Sequence, residues 1–276
     1  LDLVEILIDA ALLTIVARDE AGRTRYRLHE VPRQYAAEHL AAAGETETYR
    51  RRHIAWAIAL AERVAPELDG ARQAVWLRQV ALDHENLRTA LTTAEQAAES
   101  ESLLRLVNAL VQFWNVSDIG EGRAWLRRAL RLSEGQITSA TAGAWSNESF
   151  LAYRQGDYAA MKAAAEMALN QALLLEDERN IADAHYRLGI YDEMQNHLIE
   201  AREHYQYSLD MYQQLHVQRG VSNVLNGLAH VARLSNDPAE ARRYYEQGLA
   251  LARATNDQRT TMLLLISLGN LLLDQD

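Results

Sequence analysis

IEAREHYQYSL at residues 199–209 returns forty positions later as AEARRYYEQGL at 239–249. The segments around it keep the same interval: IADAHYRLGI at 181–190, VSNVLNGLAH at 221–230 and TMLLLISLGN at 261–270. Leu188 recurs as Leu228 and Leu268, Ala201 as Ala241, Tyr205 as Tyr245, and Leu209 as Leu249. A fixed period of this size marks a stacked array of helical units. Each unit reads as helix, turn, helix. In the second helix Ala241, Tyr245 and Leu249 are spaced by four and share one face, where the small alanine lets a neighbouring backbone come close.

The unit boundaries carry their own chemistry. In Asn236-Asp237-Pro238-Ala239-Glu240, Asp237 suits an N-cap, Pro238 the first helical position, and Glu240 the far side of a capping box. Gly156-Asp157 offers a helix stop followed by a cap. The register extends backwards through Gln155 and Gln195, Leu169 and Leu209, Arg179 and Arg219, and Trp145 and His185. This predicts three full units from about Ser139 and the opening helix of a fourth.

These residues resemble the tetratricopeptide repeat, in the longer form found in bacterial regulators and signalling adaptors. The matching positions are Leu188, Gly189, Ala201, Tyr205 and Ser208, then Leu228, Ala229, Ala241, Tyr245 and Gly248. The usual aromatic of the first helix is replaced by Asp192 and Ala232, and the usual closing proline is absent. The resemblance implies an all-α repeat superhelix over 136–276 that binds a protein or peptide on its concave face. Transferring the register places Ser146, Phe150 and Tyr153, then Asp183, Tyr186 and Glu193, then Asn223, Asn226, His230 and Arg233 on that face. Such amides, aromatics and charges can hydrogen-bond an extended backbone. The lysines of a carboxylate clamp are missing, so no preference for acidic termini is expected.

The composition narrows the alternatives. With 276 residues, 49% hydrophobic content, 3 prolines and 13 glycines, the chain can bury a substantial helical core. It has no cysteine, which removes disulfides, thiol nucleophiles and thiolate metal sites, and fits a cytoplasmic protein. A net charge of −10 argues against broad nucleic-acid binding. No apolar run reaches the length of a membrane span, and Asp2, Glu5 and Asp9 interrupt the first segment, which therefore does not read as a signal peptide. A chain opening on Leu1 within a helical pattern reads as part of a longer protein.

Residues 1–13 show a helical pattern with Leu3, Ile6, Leu7 and Ala10 on one face. Leu13–Ala17 and Thr24–Leu28 are β-rich and flank the turn signal Asp19-Glu20-Ala21-Gly22, which predicts a hairpin. A helix from about Val31 to Ala43 follows, with Pro32 in its first turn and Gly44 as its stop. Helix, hairpin, helix over 1–44 is the order of the back half of a winged-helix module. The run from Arg25 to Ala36 resembles the end of the winged helix in signal-transducing ATPases of the NB-ARC or STAND class, with Leu28-His29-Glu30 standing where many carry methionine–histidine–aspartate. That resemblance implies contact between His29 and the β-phosphate of ADP held by an upstream nucleotide-binding domain. This chain carries neither GxxxxGK[ST] nor GxGxxG, so no cofactor is expected in it. Arg18, Arg23, Arg25, Arg27 and Arg33 are diluted by Asp19, Glu20 and Glu30, which favours an internal docking surface over DNA contact.

Residues 45–135 are helical but leave the forty-residue register. Arg52–Val64 forms one helix and about 71–99 another, with Trp76, Leu77, Val80, Leu87 and Leu91 as an apolar stripe. The stretch from Trp76 to Leu91 resembles the linker between winged helix and repeats in bacterial ATPase-type regulators. Ser102–Val116 and Gly120–Leu132 form a helix pair whose core is Leu110, Phe113, Trp114, Trp125, Leu126 and Leu130.

Chemistry is sparse. His197, Glu200 and His204 are the tightest metal-like group, but no HExxH occurs, and a solvated charged face is the simpler reading. No Gly-x-Ser-x-Gly elbow occurs either. The expected function is non-enzymatic: a sensor or scaffold region of an ATPase-type transcriptional regulator. The alternative is a free-standing adaptor. The last helix, with Met262, Leu264, Leu265, Leu268, Leu271 and Leu272 and a stop at Asp274-Gln275-Asp276, is expected to leave leucines uncovered and drive self-association, chiefly through Leu264, Leu268, Leu271 and Leu272.

Overall fold

The computed structural model describes residues 2–18, 22, 24–70 and 72–273. Residues 19–21 of the expected hairpin turn, Arg23, and the stop at 274–276 lie outside the described residues. Two compact units divide after Trp56.

The first unit contains α1 (Asp2–Asp9), β1 (Leu13–Arg18), β2 (Thr24–Leu28), α2 (Glu30–Ala42) and the start of α3 (Thr46–Val64). α1 stops short of the expected Leu13, because Leu13 pairs with Leu28 at the mouth of an antiparallel hairpin. A bulge between Ile15 and Ala17 kinks β1. α3 starts six residues before the expected Arg52, supported by the i,i+4 pair Glu47–Arg51 at 3.0 Å. No described side chain before Ile54 is buried. Leu3, Ile6, Val31 and Tyr35 are each more than half exposed.

In the second unit α3 ends in a 3-10 turn (Ala65–Asp69), followed by α4 (Gln73–Gln96), α5 (Ser100–Ser117) and α6 (Ile119–Leu132). Then come α7 (Ser139–Gln155), α8 (Tyr158–Leu174), α9 (Glu178–Met194), α10 (Leu198–Gln214), α11 (Gln218–Leu234), α12 (Pro238–Ala254) and α13 (Gln258–Leu273). From α7 to α12 every helix has 17 residues. The predicted tandem helix pairs are therefore present, and the fold is all-α apart from one hairpin.

The turns repeat as strictly as the helices. Gly156, Glu176, Asn196, His216, Asn236 and Asn256, twenty residues apart, all have positive φ. The next N–H in each case reaches back across the turn, as from Asp157 to Ala152 O (2.9 Å) and from Val217 to Tyr212 O (2.9 Å). This is the left-handed cap that satisfies orphan carbonyls at a helix end. Gly156 and the asparagines Asn196, Asn236 and Asn256 announce it by residue type, whereas Glu176 and His216 do not. Asp157, Asp177, Asp237 and Asp257 then cap the next helix through their carboxylates. The expected reciprocal bond from Glu240 does not form, because its carboxylate is taken by Arg202 of the preceding unit at 2.7 Å.

Ala201, Tyr205, Leu209, Ala241, Tyr245 and Leu249 are all buried, as their spacing predicts. Gly189 and Gly227 let the Tyr205 ring lie against two helices: a Cβ at Gly227 would stand 2.5 Å from Tyr205 Cζ, and one at Gly189 2.7 Å from the same ring. The six residues expected as the α5–α6 core are buried too. This pair is joined to the array by an ion network that motif reading gives no hint of. Buried Arg123 binds buried Glu148 at 2.9 Å and the cap Asp157 at 3.0 Å.

At the other end the expected outer face of α13 is met at Leu272, which is exposed, and not at the other three leucines. Leu264 and Leu271 are buried within the chain, and Leu268 packs against the same cluster. The exposed apolar stripe is Met262, Leu265, Ile266, Leu272 and Leu273, spaced to lie on one face.

Two substitutions with opposite signs check this account. Gly227→Ala should destabilise the array by about 1–3 kcal/mol, because the Tyr205 ring cannot retreat. His216→Gly should stabilise it by about 0.5–1 kcal/mol by relieving a left-handed non-glycine residue. Urea midpoints of the two variants moving in the same direction would contradict the packing and turn geometry.

Candidate ligand-binding cleft

The first helices of successive units, α7, α9, α11 and α13, line a cleft of about 680 Å³. Eight of the ten residues placed there by register do line it: Phe150, Tyr153, Asp183, Tyr186, Glu193, Asn223, Asn226 and His230. Ser146 and Arg233 do not; Ser146 is buried in the helix packing.

Two tyrosines of the second helices reach through the helix layer to the acids of the cleft. Tyr212 donates its hydroxyl to Asp183, and Tyr205 donates to Glu193 Oε2 at 2.7 Å. Burial pushes both tyrosines well above their usual range. Burial also raises the Asp183 carboxyl, against the opposing pull of the Tyr212 hydrogen bond and of Arg187 and Arg179. Both acids therefore serve as acceptors for groups of the wall.

Five arginines line the same cleft: Arg154, Arg179, Arg187, Arg219 and Arg259. Arg187 lies over the Phe150 ring at 4.8 Å and near Tyr186 at 5.4 Å. Its Nε is buried without a hydrogen-bond partner, as is Asn226 Oδ1. Arg219 bridges to Asp257 at 3.2 Å. The functional reading from sequence selected amides and aromatics and passed over these guanidiniums, although Arg179 and Arg219 are visible in register.

His230 links Glu193 (3.2 Å from Nδ1) to the Ser267 hydroxyl (3.3 Å from Nε2). The order acid, imidazole, hydroxyl is that of a nucleophilic triad. Ser267 however lies inside α13, where the neighbouring backbone N–H groups are spent on the helix and none is free to stabilise an oxyanion. The arrangement works as a polar brace between three helices.

The metal-like group of the sequence is dispersed differently. His204 Nδ1 faces His185 Nδ1 at 2.8 Å, and His204 Nε2 and His197 Nδ1 lie 3.6 and 3.7 Å from Asp192. Glu200 is exposed apart from them. Among the described residues no group of three or more His, Asp or Glu is arranged to hold a metal. His29 caps the start of α2 with its backbone, and its Nε2 lies 2.8 Å from Thr14 Oγ1, leaving the imidazole at the surface. No helix among the described residues is long and apolar enough to cross a membrane.

A sequence model of the tetratricopeptide repeat matches residues 199–254. Proteins of Mycobacterium bovis and Mycobacterium tuberculosis, whose names describe them as HTH-type transcriptional regulators, are 33% identical over 131 residues. That match takes in 47% of this chain and 14% of the relatives, so the chain spans only a small part of their length. Among solved structures, BtubC from P. vanneervenii superposes with a TM-score of 0.51 at 18% identity, over 80% of this chain and 82% of that one. The likeness supports the fold, a tetratricopeptide-like array.

The facing imidazoles predict a pH response. One of the two Nδ1 atoms must be unprotonated to accept, and burial with the nearby His204 lowers His185 to about 4. Its contribution to stability is full above the unfolded value near 6.5 and is lost as pH falls towards 4. After allowance for partial exposure the loss is on the order of 1–2 kcal/mol. The urea midpoint should fall between pH 6.5 and 4.5, and His185→Asn should flatten that slope. An unchanged slope in the variant would show the pair to be silent.

Proposed function

We propose that the chain is a non-enzymatic sensor and scaffold region whose repeat cleft takes a segment of a partner protein, or a peptide-like inducer. The observation that carries this reading is the cleft itself. Four parallel first helices from successive units present hydrogen-bonding side chains to one continuous space, and eight of ten positions follow the repeat register. Amides and aromatics on stiff helices suit an extended polypeptide, which offers donors and acceptors at every residue. Tyr186→Ala with Asn226→Ala should weaken a partner by roughly tenfold or more, since buried polar anchors dominate such contacts. Titration calorimetry with the partner, alongside thermal melts, checks this. Unchanged affinity in a folded double variant would move the interface elsewhere.

The wider setting is a signal-transducing ATPase-type regulator, with 1–44 as the end of a winged helix. Three features support it: the Leu28-His29-Glu30 run at a strand–helix junction, the uncovered apolar residues Leu3, Ile6, Val31 and Tyr35, and relatives that are named regulators and much longer than this chain. In that setting His29 contacts the β-phosphate of ADP in the closed state, and the winged helix relays the state of the repeats. In a full-length protein His29→Ala should release ADP faster and shift the population towards the active form. Equal ADP dissociation constants for variant and wild type would remove His29 from this role.

A further inference from the structure

The cleft's charge is opposite to that of the chain. The protein carries a net −10, yet five arginines and two carboxylates line the cleft. Both carboxylates are engaged by tyrosine hydroxyls. Among the described residues Arg154, Arg179 and Arg187 have no carboxylate at ion-pair distance, whereas Arg219 is held by Asp257.

Arg179, Arg219 and Arg259 lie forty residues apart, each at the second position of its helix. A cation in the first turn opposes the helix dipole, so helix stability does not explain the placement. A local rule broken in three of the four first helices, α7 carrying Ala140 at that place, and each time towards the same cleft, is the pattern of a functional surface. Arg187 adds a guanidinium that ring stacking holds, with its Nε left without an acceptor.

We propose that the cleft selects an acidic segment of polypeptide, whose carboxylates are gripped by Arg154, Arg179 and Arg187 while Asn223 and Asn226 hold its backbone. Guanidinium forks match carboxylates, and a cleft with low-dielectric walls concentrates the attraction. The acidic exterior disfavours a long polyanion such as nucleic acid, whose phosphates would run past the cleft onto negative surface. A short acidic stretch places its charge only where the arginines are. Such a segment departs from the expectation, drawn from the missing lysines, that acidic ends are not preferred.

This inference rests on the cleft being the partner-binding face, and one experiment separates the two. The 276-residue chain is titrated by fluorescence anisotropy with a labelled glutamate-rich decapeptide, its glutamine counterpart and a lysine-rich control, at low and physiological salt. The glutamate peptide should bind at least tenfold more tightly than the glutamine peptide and weaken with salt. Arg179→Gln and Arg187→Gln should each cost about tenfold, with Arg187→Lys recovering part, at unchanged melting temperature. Equal binding of the glutamate and glutamine peptides, both weakened by Asn226→Ala, would overturn the acidic preference and keep the cleft. Glutamate-peptide binding that survives the arginine variants would place the site elsewhere and overturn both. No binding of the glutamate peptide, or its displacement by inorganic phosphate or a DNA oligonucleotide at lower concentration, would also overturn the proposal.

Discussion

The ring of Tyr205 fills a slot that exists because residues 189 and 227 have no side chain. Three helices meet on that ring, and its hydroxyl continues to Glu193, which also meets His230. Core packing and cleft chemistry therefore share one side chain. The glycines set how closely α9 and α11 approach, and that approach fixes which polar groups of the two helices face each other. Close-packed interiors respond to even one methyl group, so the cleft inherits the rigidity of the core behind it.

This coupling explains the unusual state of the cleft acids. A buried carboxylate without a partner would be costly. Asp183 and Glu193 are supplied with donors from the inner helix layer, and among the described residues Arg154, Arg179 and Arg187 have no carboxylate at ion-pair distance. The positive side of the cleft comes from five arginines set against two carboxylates, and the tyrosine hydroxyls hold those carboxylates in the wall without removing their charge. Preorganised donors of this kind need little rearrangement on binding, which preserves affinity that ordering would otherwise remove.

The repeat and its core were legible because Ala, Tyr and Leu at spacing four recur without interruption. The concave face followed from register at Phe150, Asp183, Asn223 and their neighbours. Three things were hidden. The turns use Glu176 and His216 where glycine would advertise the left-handed backbone. The partners of polar groups depend on distance across units, so Glu240 left its own cap for Arg202, and Arg123 found Glu148. The inward turn of Leu264 and Leu271 depended on helix rotation, which a run of leucines at 263–265 and 271–273 does not encode, since every face of it is apolar.

The six matching turns make the chain divisible. Because each joint has the same backbone, a break at one joint can be rejoined at another without a new kind of loop. Loss or gain of twenty residues would exchange inner for outer helices and carry the tyrosines to the wrong layer. Loss or gain of forty preserves both. The array's length can therefore drift in whole units during descent, and each added unit of the kind that starts with α9 or α11 lengthens the cleft by one more helix and one more arginine rung. The reach of the cleft along an extended ligand is, on this reading, a countable quantity.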